Sequence, residues 1–164
     1  MPASVLSAPA LNISGSFVLT SNAVFPTPAG TFKMSPAINL TAGSSAGQVQ
    51  YGYQALLAIT SGSPLALSLD SITDALGLTA APTVLVAIVV ENDSTTTGQD
   101  FTVGVGTNPV MGAVCAGIAQ ANGGVYAQVM PGSGFAIVSA TSDILKITAA
   151  AGTAVPGKLT LLLR

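Results

Sequence analysis

With no histidine in the chain, its carboxylates are the main candidates for acid–base chemistry near neutral pH. A pair of carboxylates can cleave a glycosidic bond when one acts as the acid and the other as the nucleophile or base. Two pairs lie close together in the sequence, but their spacing alone does not establish a catalytic pair. Acidic side chains are favoured at helix caps and in turns. We therefore interpret all six carboxylates of the chain as cap and loop residues and predict that none is catalytic. The six are Asp70, Asp74, Glu91, Asp93, Asp100 and Asp143.

Cys115, in the segment GAVCAGIA, is the only cysteine, so no disulfide can form within the chain. A cysteine nucleophile needs a neighbouring base to produce the thiolate, and histidine, the usual base, is absent. We therefore expect Cys115 to be a small buried apolar residue that is dispensable for function.

No metal or cofactor site is predicted. One cysteine and no histidine exclude a zinc site in practice. The loop ENDSTTTGQD could offer Glu91, Asp93 and Asp100 to Ca²⁺, but it lacks the D-x-D-x-D-G order of a helical calcium-binding loop. The segment GVGTNPVMG is rich in glycine, yet it opens no helix after the strand of a βαβ unit, so it does not predict a nucleotide site.

Charge is sparse along the whole chain, since only 6% of its 164 residues are charged, against about 25% in an ordinary domain. Nucleic-acid binding depends on clustered basic residues, but here the net charge is −2 and the basic residues are scattered: Lys33, Lys146, Lys158 and Arg164. An apolar monomer of this kind would tend to associate. We therefore expect a surface of uncharged polar residues that is partly covered by partner subunits, and no nucleic-acid partner.

The elements that must position these residues are predicted to be strands. The segment PTVLVAIVVEND has an unbroken aliphatic run from Val84 to Val90, which is far shorter than the roughly 20 residues of a membrane-spanning helix. Its β-branched residues and flanking turn residues favour a central strand, from about Thr83 to Glu91, buried on both faces. The N-terminus lacks the basic region of a secretory signal, so we expect neither export nor membrane insertion.

The strands form a series from residue 48 onward. Leu65, Leu67 and Leu69 alternate with small residues, while Val125, Ala127 and Val129 are predicted to share one face of another strand. The segment ANGG at 121–124 predicts a β-hairpin, because Asn-Gly supplies the positive φ angles of a tight turn. Several short strands separated by glycine and proline turns predict an all-β sandwich or barrel.

One short helix is expected within this series, in the segment DSITDALG. Asp70 or Ser71 can cap its first turn, Asp74 follows Ser71 at capping-box spacing, and Gly77 can end it.

Residues 1–47 differ from the rest of the chain because proline recurs among Ser, Ala, Thr and Gly. Proline at this density does not suit a central sheet, whereas embedded residues such as Phe17, Phe25 and Phe32 can bury apolar surface. We predict an extended arm over residues 1–47 with one or two added strands, and a β-sandwich domain over residues 48–164.

The domain resembles a family of small virion proteins of tailed bacteriophages. The resemblance is carried by YQALLAITSGSPLALSLDSITDALGLT, by VLVAIVVEND, by MPGSGFAIV and by DILKITAAAGTAVPGKLTLLLR, and it extends from about Gln50 to the C-terminus. It does not include the arm. It implies a jelly-roll-like sandwich on the exterior of the virion, in a head decoration (cement) protein, a head fibre or a related accessory protein.

The function expected from this resemblance is structural and non-enzymatic. The expected partners are other copies of the chain, in a homo-oligomer such as a trimer, and the major capsid protein or other virion proteins, with no membrane partner. The protein would be made in the host cytoplasm and located in the virion. A tail-tube or tail-fibre component is an alternative, as is a carbohydrate-binding jelly roll, although the latter would normally carry aromatic platforms and this chain has no tryptophan.

Overall fold

A computed structural model describes residues 10–11, 16–18, 31–33, 38–39, 41–42, 44–46, 48–73, 79–104, 106–111, 117–129 and 134–164. These residues form seventeen β-strands: β1 (Ala10–Leu11), β2 (Ser16–Val18), β3 (Thr31–Lys33), β4 (Ile38–Asn39), β5 (Thr41–Ala42), β6 (Gln48–Val49), β7 (Tyr51–Ile59), β8 (Leu65–Ser68), β9 (Ile72–Thr73), β10 (Thr79–Ala80), β11 (Val84–Asn92), β12 (Phe101–Val103), β13 (Gly117–Ala119), β14 (Val125–Val129), β15 (Phe135–Ala136), β16 (Ile144–Ala149) and β17 (Val155–Leu163). The part of the chain described here contains no helix long and apolar enough to cross a membrane.

Nine of these strands form two antiparallel sheets, eight of them in the two main strand orders and the ninth, β15, beside them. The first sheet has the order β14-β11-β17-β7, with β15 also paired to β11, and the second has the order β13-β12-β16-β8. Taken along the chain, the first of the eight strands pairs with the last (β7 with β17), and the second with the seventh (β8 with β16). The third pairs with the sixth (β11 with β14), and the fourth with the fifth (β12 with β13). This nested pairing across two sheets is the jelly-roll arrangement, which confirms the predicted fold class.

The core lies between the two sheets and follows the period-2 pattern of the strands. In β16 and β17 every second side chain is buried, because successive side chains of a strand point to opposite faces. Leu65 and Leu67 pack against this core and Leu69 is buried in it, as their alternation predicts. Phe101 of β12 is also fully buried, from the second sheet.

The strand β11 occupies the centre of the first sheet, as the aliphatic run predicts. It pairs with β14 and β15 on one side and with β17 on the other. Leu85, Ile88 and Val90 face the core between the sheets. Val86, where the register with β17 shifts, is buried instead with Val49 in a second, smaller cluster. Both faces of this strand are therefore covered around Val86.

The Asn-Gly turn is present, but the predicted hairpin is wrong, because the strands that the turn joins lie in different sheets and do not pair with each other. Asn122 and Gly123 both have positive φ angles, 65° and 83°, and they connect β13 of the second sheet to β14 of the first. The side chains at 125, 127 and 129 share a face as predicted. That face points away from the core, since Tyr126, on the opposite face of β14, packs against the core.

The short helix predicted from DSITDALG is wrong at the residues that the structure describes. Ile72 and Thr73 form a strand that pairs in antiparallel fashion with Thr79 and Ala80. The physical reason is burial: Ile72 and Ala80 are both in the core cluster, and this tertiary packing outweighs a local capping pattern worth about 1 kcal/mol. Asp74 and Gly77 lie outside the described residues.

The described parts of the predicted arm form short strands, four of which pair with one another, while β5 pairs with β6 at the start of the domain. The strand β1 pairs with β4, β2 pairs with β3, and β5 pairs in parallel with β6. None of the pairings within the described residues adds a strand of 1–47 to either sheet of the jelly roll.

Candidate functional site

Glu91 and Asp93 lie beside Lys158 on the outer face of the first sheet, which is the face that points away from the core. The Lys158 Nζ atom is 3.4 Å from Glu91 Oε2 and 3.2 Å from Asp93 Oδ2. Its hydrogen bond and charge interaction with Asp93, followed by those with Glu91, raise the pKa of Lys158 above its ordinary value of 10.5. The stabilisation from this ammonium is therefore complete below pH 10.5 and is lost only as the pH rises through the raised value. All three side chains are about half exposed, so this is a solvated ion-pair cluster.

The loop from Glu91 to Asp100 is held by amide and hydroxyl groups. Asn92 is fully buried. Its Nδ2 donates to the carbonyl oxygens of Gln99 at 2.7 Å and Ala119 at 3.0 Å, and its Oδ1 accepts from the Ser94 N–H at 3.0 Å. These bonds fix the loop against β13, so the main role of Asn92 is structural.

The three carboxylates considered for Ca²⁺ in this loop do not converge. Glu91 and Asp93 contact Lys158, whereas Asp100 Oδ1 accepts a hydrogen bond from the Ala121 N–H at 2.8 Å. No group of three potential metal ligands occurs among the residues that the structure describes.

Asp70 and Asp143 approach each other through Ser68. The Ser68 Oγ atom lies 2.6 Å from Asp70 Oδ1 and 3.2 Å from Asp143 Oδ2, and a hydroxyl has one proton to donate. The hydrogen bonds donated by Ser68 and then Ser139 lower the pKa of Asp70 below 3.8. Asp143 is buried, with its Oδ1 unpaired among the described residues. The Ser68 hydroxyl, which lies between the two carboxylates, thus connects the end of β8 to the loop before β16.

We expect Ser68→Ala to lower the free energy of unfolding by about 1–2 kcal/mol, because it removes the hydroxyl next to a buried carboxylate. Asp70 has a lowered pKa, so the stabilisation that it contributes is present above pH 3.8 and is lost as the pH falls through the lowered value. The deficit of the variant should therefore shrink in acid. Urea denaturation at neutral and acidic pH measures it.

Ser139→Ala is the matched control, because Ser139 donates to the other oxygen of Asp70 at 2.7 Å but lies at the exposed surface. A Ser68→Ala variant no less stable than Ser139→Ala would show that the Ser68 hydroxyl does not hold this junction together.

Besides the ion pairs, the outer face of the first sheet and its β7 edge carry exposed apolar side chains. Leu56 of β7 is 84% exposed and Val125 of β14 is 56% exposed, at opposite edges of this sheet. Ala58, Ala127 and Pro156 are exposed between and beside them. Near the ion pairs the face has a shallow depression of about 310 Å³ lined by Gln54, Ala55, Leu56, Glu91, Lys158, Leu159 and Thr160.

A second concave feature, which we call the β7 groove, lies where the two sheets meet at one side of the sandwich. It has a volume of about 360 Å³ and is lined by Tyr53, Ala55, Leu56, Leu57, Ala58, Ile59, Ser63, Pro64 and Leu65. The strands β7 and β8 are the terminal strands of their sheets at this side. No lining residue is charged, so the groove suits an apolar or backbone partner better than a charged ligand.

The structure places the five described carboxylates in three separate surroundings: Glu91 with Asp93, Asp70 with Asp143, and Asp100 alone. Asp74 and Cys115 lie outside the described residues. Sequence reasoning missed the exposed Leu56 and the buried Asn92. The first carried a weak signal, because QALLAI has apolar residues on both faces and one of them must face outward if the strand lies at an edge. Comparison of the chain with known proteins finds no matching family model, no matching curated protein and no matching solved structure.

Proposed function

We propose that this chain is a non-enzymatic structural protein of a tailed-bacteriophage virion, a decoration or cement protein that forms a homo-oligomer and docks on the exterior of the capsid shell. Its partners are other copies of itself, in the trimer expected from the sequence or another closed assembly, and the major capsid protein.

The observation that carries the proposal is the exposed apolar surface of a jelly roll with very little charge. Leu56, Ile118, Val125 and Val138 are each at least 50% exposed, and only ten residues of the chain are charged (4 basic and 6 acidic). A chain this apolar with so few charged side chains would tend to associate rather than remain a lone monomer. The resemblance of the domain to phage virion proteins gives the partner class, and the described carboxylates, which are held in ion pairs and hydrogen bonds, favour a binding role over catalysis.

Fractionation of phage particles tests the proposal. Particles that encode the protein are separated into heads and tails on a density gradient, and each fraction is probed for the 16.1 kDa chain. We expect the protein in the head fraction, at a fixed ratio to the major capsid protein. Recovery in the tail fraction would support a tail component instead, and absence from purified particles would contradict a virion role.

A further inference from the structure

We infer that the exposed edge of β7 is a self-association site, where the β7 strands of two copies pair in antiparallel fashion about a two-fold axis and join their first sheets. This inference deepens the proposed function, because it rests on the homo-oligomer and assigns it a surface, and it replaces the expected trimer with an assembly of an even number of copies. The contact would be isologous, so that the same residues contribute from both copies.

The first observation is that β7 is a long edge strand whose own residues provide none of the usual protection. It is nine residues long and its only strand partner among the described residues is β17. Proteins commonly protect an edge with lysine, proline, a bulge or a short strand. The strand β7 has no charged residue and no proline, and its register with β17 is continuous from Tyr51 to Ile59. Its edge is therefore competent to pair.

The second observation is that the strand is self-complementary about Leu56. If the two-fold axis passes beside Leu56, then Leu56 lies opposite its own copy and Gln54 lies opposite Ala58 on the outer face. Directly opposed side chains are about 4.5–5.5 Å apart, so the two leucines, each 84% exposed in the single chain, would cover one another. On the core side, Ala55 would lie opposite Leu57. No like charges would be opposed at any position.

The available area is sufficient for a stable contact. Nine residues of strand span about 30 Å, and a two-layer sandwich is roughly 20 Å across with its outer side chains. The edge, including the β7 groove, thus offers roughly 600 Å² per copy, or about 1,200 Å² in total, which is the lower end of stable interfaces. A second copy supplies both the missing backbone partners and an uncharged surface of matching size.

The test is the molar mass of the full-length protein and of Leu56→Lys, measured by light scattering. A two-fold contact requires an even number of copies, and we expect Leu56→Lys to halve the wild-type mass because it opposes two charges at the axis. Ala136→Lys is the matched control: it places the same charge on an exposed residue of β15, on the far side of the first sheet from β7, and should leave the mass unchanged. Circular dichroism melts confirm that both variants are folded.

Cross-linking tests the register in the Cys115→Ala background. Opposed residues have Cα atoms about 4.5–5.5 Å apart, within the range that a disulfide bridges. Leu56→Cys should therefore form a covalent dimer on mild oxidation, whereas Gln54→Cys should not, because its copy is displaced along the strand. The double variant Gln54→Cys with Ala58→Cys should cross-link again.

A wild-type protein that is monomeric at micromolar concentration, a wild-type trimer, or a Leu56→Lys variant of unchanged mass would each overturn the inference. Failure of this contact is distinguishable from failure of the proposed function, because the presence of the protein in phage heads is measured separately. Heads that contain the protein while Leu56→Lys keeps the wild-type mass would reject the β7 contact alone.

Discussion

Val86→Asp is expected to lower the free energy of unfolding by about 3–5 kcal/mol, the range for an uncompensated buried charge. Val86 is 1% exposed and is buried with Val49, and Val84, Val129 and Leu162 pack against the two. A carboxylate at this position would lose its hydration among aliphatic side chains. It would also disrupt the packing of residues 48–49 on the outer face of the first sheet. Urea denaturation, followed by far-UV circular dichroism, measures the change.

Val125→Asp is the matched control, since Val125 lies in the adjacent strand of the same sheet but is 56% exposed. Its expected cost is within about 1 kcal/mol, because the new carboxylate stays solvated and is opposed only by Glu91 across the strands. If Val86→Asp unfolds at the same urea concentration as Val125→Asp, then Val86 is not enclosed and β11 is not covered on both faces.

Asn92→Ala is expected to cost about 3 kcal/mol. The substitution removes two donated hydrogen bonds and one accepted hydrogen bond, and it leaves buried backbone groups of Ala119 and Ser94 without their partner. Each unsatisfied buried group costs about 1–3 kcal/mol. Because the side chain links the loop to β13, amide hydrogen exchange of the Ser94 N–H should also accelerate. Denaturation and hydrogen exchange measure the two effects.

Asp93→Ala provides the comparison, because Asp93 is the next residue and is exposed in its ion pair with Lys158. Such surface pairs contribute little, so this variant should unfold close to the wild type. An Asn92→Ala variant as stable as Asp93→Ala would show that the loop does not depend on the buried amide.

Local sequence patterns predict two kinds of strand in the jelly roll: strands with one apolar face, and strands that are apolar along their whole length. Leu65, Leu67 and Leu69 alternate and lie toward the core, and the unbroken run of β11 lies at the centre of a sheet. The sequence is less decisive where capping and burial compete: Ile72 pairs with Ala80 in a strand, although the residues around it have the spacing of a helix N-terminus.

The orientation of a strand with apolar residues on both faces depends on its position in the sheet. In β14, Val125 and Ala127 point outward and Tyr126 packs against the core. This orientation buries the larger apolar area of the aromatic ring. The exposure of Leu56 similarly follows from β7 being an edge strand, which only the order of the strands determines. The role of Asn92 requires the tertiary contact with Ala119, which is 27 residues away in sequence.

Binding to undecorated phage shells is the most direct test of the claim that this chain is a capsid decoration protein. The full-length protein is mixed with shells that lack it, and the bound fraction is measured by co-sedimentation over a range of concentrations at low and high salt. We expect saturable binding that changes little with salt, because apolar contacts with little charge are only weakly screened. Protein that remains in the supernatant at every concentration, or binding that disappears at high salt, would contradict an apolar docking surface on the shell.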